Sequence, residues 1–193
     1  MKLLLIVVFI FTTLSLCAQI KLPALKSSPS VKPDVEKVAR DYYQNFNNIK
    51  GDTLMQTAGT IEFQSKIIPA GSLESTITKY SDPNSYSWQA IMFQTEDFKE
   101  AVSKYKQYYR QLNGANLTFY DRTSSKLTGP YDVPDEDRSF ASSILELDSK
   151  KHDLQLFKVE VALNYSFPQW TVKIMVYEKI ADENMRPSAL YQN

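Results

Sequence analysis

The chain has 193 residues, 43% of them hydrophobic and 12% aromatic, enough for one domain with a sizeable core and too few for two full ones. Its 22 basic and 22 acidic residues cancel, which removes the basic excess that nucleic acid or an anionic membrane surface would demand of a partner. Only five glycines are present, and no GxGxxG or Walker loop occurs, so phosphate-cradling chemistry is disfavoured.

Residues 1–18 carry Lys2, an apolar run from Leu3 to Phe11 and a small residue at Ala18, the pattern of a secretory signal peptide cleaved before Gln19 or before Ala18. An exported, periplasmic or extracellular chain is expected, with no transmembrane segment after cleavage. Cys17 is the single cysteine. Acylation there would anchor a lipoprotein, but bulky Leu16 stands where lipoprotein signals carry a small residue, and the plainer reading discards Cys17 with the signal. The mature chain then has no disulfide, no thiol nucleophile and no thiolate metal site.

Residues 19–32 are rich in Pro, Ser and Lys without a period and read as a linker. Pro33 suits a first helical turn, and Val35, Val38, Ala39, Tyr42, Phe46 and Ile49 form one stripe of a helix closed by Gly51. Three strands follow, over residues 60–68, 73–80 and 86–93; the last is apolar on both faces and belongs centrally. A second helix repeats the stripe with Phe98, Ala101, Val102, Tyr105, Tyr109 and Leu112, capped at Thr95 and closed by Gly114. Residues 116–121 and 126–127 read as a broken strand, and 128–138 as a turn-rich acidic loop. Strands at 139–144, 154–165 and 170–176 complete the order, and residues 182–193 read as a flexible tail.

The expected fold class is α+β. We read a two-layer, mostly antiparallel sheet of about six or seven strands with two amphipathic helices on one face. The matching stripes, together with Ser72–Ile77 echoed by Ser139–Ile144, suggest a duplicated α-β-β-β unit. Its halves would span 33–94 and 96–181 of a single domain over 33–181.

Catalytic residue types are scarce. His152 is the only histidine, which removes His-based zinc sites, and as a lone base it reads better as a turn residue. Asp132, Asp135, Glu136 and Asp137 form the densest carboxylate cluster and are calcium candidates, though the spacing is not that of a calcium loop. Glu62, Glu74, Glu146 and Glu160 lie on strands and are the candidates for a carboxylate-based hydrolase. Tyr43, Tyr108 and Tyr177 lie off the stripes and read as surface tyrosines, whereas Trp88 and Trp170 read as core anchors. No cofactor is implied.

The expectation is therefore an exported, non-catalytic bacterial envelope or secreted module that binds a protein or envelope polymer. Its contact surface would be a polar, open sheet face lined by Glu62, Gln64, Lys66, Lys158, Glu160, Lys173 and Tyr177, with Thr60 and Asn164 beside them. The rival readings are a small carboxylate-based hydrolase and a self-associating structural protein, a homodimer through sheet faces or edges.

Overall fold

Val31 opens the first helix, and its backbone N–H donates to Gln111 Oε1 at 2.9 Å, tying the helix start to the second helix before any turn is complete. The computed structural model describes residues 29–81 and 84–179, without the side chains of 152 and 153; the proposed signal peptide, most of the linker and the proposed tail lie outside the described residues. Helix α1 (Lys32–Asp41) has Pro33 in its first turn and is followed by a 3-10 turn over Tyr42–Gln44.

This helix ends well before the expected stop at Ile49. Asp41 explains why: its carboxylate accepts the backbone N–H of Asn48 (3.0 Å) and of Ile49 (3.2 Å), which folds the chain back on itself. Asn45 and Phe46 take positive φ values of 51° and 56° in that reversal. Phe46 and Ile49 are nevertheless buried in the core with Val35, Val38 and Ala39. The stripe predicted burial correctly and helix length incorrectly. Gly51 is not a helix terminator but part of a strand, where a Cβ would stand 3.0 Å from the carbonyl oxygen of Gln64.

Helix α2 (Phe98–Leu112) follows its predicted stripe closely. Its N-cap is Asp97 rather than Thr95: the Asp97 carboxylate accepts the N–H of Lys99 (2.8 Å) and Glu100 (3.1 Å). Thr95 ends the preceding strand, and its Oγ1 accepts the N–H of Asp97 at 3.2 Å. Gly114, at φ 85°, supplies the left-handed residue beyond the helix.

The strands are β1 (Lys50–Gln56), β2 (Thr60–Ser65), β3 (Glu74–Tyr80), β4 (Ser85–Thr95), β5 (Asn116–Thr118), β6 (Ser124–Thr128), β7 (Phe140–Leu147), β8 (Phe157–Ser166) and β9 (Gln169–Glu178). They make one sheet of nine strands in the order β1-β2-β3-β4-β9-β8-β7-β6-β5, every described pair antiparallel, and not the six or seven expected. The strand missed outright is β1, an edge strand that lacks apolar–polar alternation. A short helix α3 (His152–Leu156) replaces the start expected for β8. The echoed segments Ser72–Ile77 and Ser139–Ile144 fall on β3 and β7, which stand at different distances from the central β4–β9 pair.

Alternation sorts the strands into two faces. Phe63, Ile77, Trp88, Val176, Val159 and Leu145 are consecutive partners across six strands and form an apolar row. That row shares one core with Val35, Val38 and Ala39 of α1 and with Ala101, Tyr105, Tyr108 and Leu112 of α2. Tyr108, expected at the surface, is buried there, as burial also raises its phenol pKa. Trp88 is fully buried and its indole N–H donates to Ser65 Oγ at 3.0 Å, so the core anchor is also hydrogen-bonded.

Candidate functional site: the polar face of the sheet

A one-residue step from the apolar row reaches the opposite face. There Glu62, Thr78, Ser87, Tyr177, Lys158 and Glu146 are consecutive partners on β2, β3, β4, β9, β8 and β7. Two residues along, the row reads Gln64, Thr76, Gln89, Met175, Glu160 and Ile144. A third row joins Glu74, Ile91, Lys173, Ala162 and Ser142. The fold thus gathers Glu62, Gln64, Lys158, Glu160, Lys173 and Tyr177 onto one surface, from strands more than 90 residues apart in sequence. Lys66 lies just past β2, with its Nζ on the carbonyl of Asn48 at 3.4 Å.

Accessibility divides that surface. Lys158, Glu160, Lys173 and Tyr177 are only 5%, 0%, 7% and 4% exposed, so the centre is not an open contact area. Glu62 is half-buried, and Gln64 and Lys66 are exposed. The expectation that all seven line a solvent-facing surface fails for those four. Such burial is tolerated because these polar side chains satisfy one another. Tyr177 OH donates to Glu160 Oε2 at 2.7 Å, and Ser142 Oγ donates to Glu160 Oε1. Lys158 Nζ lies 3.1 Å from Glu146 Oε1 and also donates to the carbonyl of Gln155. Burial lowers the pKa of Lys173, opposed by the charge of Glu74. Gln89 donates through Nε2 to Thr76 Oγ1 at 3.2 Å, and its buried Oε1 has no hydrogen-bond partner among the described residues.

The carboxylate candidates separate. Asp132 is held by both guanidinium nitrogens of Arg138 (3.3 and 2.7 Å) and accepts the N–H of Ser142 at 2.9 Å. Partial burial works to raise its pKa, but Arg138 and the Ser142 N–H together hold it below the usual range. Asp135 accepts the N–H of Asp137 at 3.0 Å. Glu136 and Asp137 turn instead toward a cleft shared with Glu96. Among the described residues, no three of His, Cys, Asp and Glu converge as metal ligands. Of the strand glutamates, Glu160 is taken up by Ser142 and Tyr177, and Glu146 by Lys158.

Sequence reasoning missed Gln89, Ser142 and Glu74 as members of the polar face. Strand alternation marks Gln89 and Ser142 once β4 and β7 are placed, but only the register brings them beside Met175 and Glu160. Among the described residues, no helix is long and apolar enough to cross a membrane. The fold defines an α+β domain built on one antiparallel sheet. No family model, no curated protein and no solved structure matches the chain.

Proposed function

We propose that the chain serves as an exported, non-catalytic module of the bacterial envelope or exterior that binds a protein or envelope polymer. The contact lies on the accessible β2 flank of the polar sheet face. One observation carries this reading: Glu62, Gln64 and Lys66 stay accessible beside a centre whose charged groups are internally paired. The paired centre acts as a stiff floor. The flank offers carboxylate, amide and ammonium groups at two-residue spacing, suited to a partner met through hydrogen bonds.

The signal-like first 18 residues support export. The engagement of Glu160 and Glu146 by neighbouring side chains argues against their use in hydrolysis. The two-copy reading belongs here as well: each of α1 and α2 precedes a run of antiparallel strands, and the two runs meet at β4 and β9.

Co-sedimentation of the protein, freed of residues 1–18, with isolated bacterial envelope tests the assignment. Wild type is expected to sediment saturably, and the triple variant Glu62→Lys, Gln64→Lys, Lys66→Glu to lose about tenfold in affinity, roughly 1.4 kcal/mol. The control Lys106→Glu on the outer side of α2 should bind as wild type does. Equal binding by the triple variant, or no saturable binding by wild type, overturns the reading.

A further inference from the structure

At the end of the sheet where β8 turns into β9, a cleft of about 380 Å³ is lined by Glu96, Glu136, Asp137, Tyr165 and Trp170. Its wall is aromatic: the rings of Tyr165 and Trp170 lie 4.8 Å apart, and Phe98 braces Trp170 from behind at 4.9 Å. Tyr165 remains 39% exposed, so one ring faces the opening. The carboxylates of Glu96, Glu136 and Asp137 take part in no hydrogen bond or ion pair with the described residues. The nearest cation in sequence, Arg138, is committed to Asp132 and to the Phe140 carbonyl.

A second observation is independent of charge. Trp170 is 95% buried, yet no acceptor among the described residues takes its indole N–H, whereas Trp88 donates its own to Ser65. That N–H is not among the polar atoms sealed from solvent. Trp170 itself lines the cleft, so this N–H is a candidate donor to its occupant.

We infer that this cleft binds a lysine or arginine side chain carried on a peptide. The cation sits between three uncompensated carboxylates and an aromatic face, where ring quadrupole and charge act together. A carbonyl of the same peptide accepts from Trp170 Nε1–H, which an ammonium ion alone cannot do. This site is separate from the β2 flank, and either assignment can fail without the other.

The test follows the two tryptophan indole N–H resonances of the ¹⁵N-labelled protein. The probes are the blocked peptide Gly-Ala-Lys-Ala-Gly, its Nε-acetyl-lysine form, and methylamine. The lysine peptide should shift the Trp170 resonance saturably and leave that of buried Trp88 unmoved. Acetylation, or the surface variant Glu136→Gln/Asp137→Asn, should weaken binding about tenfold, as loss of charge at a cation–π site implies. Methylamine, which offers the cation but no carbonyl, should shift the Trp170 resonance far less than the peptide does. No saturable shift, or equal binding by the acetylated peptide or by the double variant, overturns the site. A methylamine shift matching that of the peptide overturns the peptide assignment.

Discussion

Ser65 shows how one hydroxyl can hold several parts of this core. It accepts from Trp88 Nε1–H at 3.0 Å and from the Ile67 N–H at 3.0 Å, and donates to the Ile67 carbonyl. Ser65→Ala strands a buried indole N–H, so we expect a loss of about 2 kcal/mol in urea unfolding. The double variant with Trp88→Phe should cost less than the sum of the two single changes, because no N–H is then left unpaired. Glu160 carries a comparable load, and Glu160→Ala should cost about 2 kcal/mol by leaving the buried Tyr177 hydroxyl and the half-buried Ser142 hydroxyl without their acceptor. Asp132 makes a pH-dependent contribution. Its folded pKa lies below the unfolded one, so its stabilisation is present at neutral pH and is lost as pH falls through the folded value. Thermal melts should therefore show Asp132→Asn less stable than wild type at pH 7, with the gap closing as pH falls below the ordinary carboxylate range and through the folded value.

Among the elements, α2 and the longer strands were legible because local pattern and tertiary role agree. Asp97 stands one residue before Phe98 and caps a helix whose stripe faces the sheet; Asp97→Ala should cost about 1 kcal/mol. Helix α1 was over-read because Tyr42, Phe46 and Ile49 keep a helical spacing while the Asp41 carboxylate turns the chain away. Strand β1 was unreadable because, at the sheet edge, Asp52, Thr53, Leu54, Met55 and Gln56 are all exposed, and no burial imposes alternation on them. The polar face was legible as residue types but not as surroundings: Lys158 and Glu160 look like outward strand positions until the register sets Tyr177 and Ser142 against them. Gly129 adds a prediction that composition hides. A Cβ there would overlap the carbonyl oxygen of Ile144, so Gly129→Ala should destabilise by about 3 kcal/mol, whereas Gly59, with open space around it, should accept alanine nearly neutrally.

For the whole molecule, the sheet's edges bear on self-association. β1 pairs with β2 through two register shifts, and β5 is three residues long. A shifted edge and a very short one are poor templates for adding strands. Light scattering should therefore return the mass of one chain, and a dimer would favour the self-associating reading. The account rests on a polar face that is closed at its centre and open along its β2 flank. Lysine acylation followed by mass spectrometry on the native protein measures this most directly. Lys66 should react at the rate of an exposed lysine, while Lys158 and Lys173 resist until the chain unfolds. Native-state labelling of Lys158 and Lys173 as fast as Lys66 would contradict it.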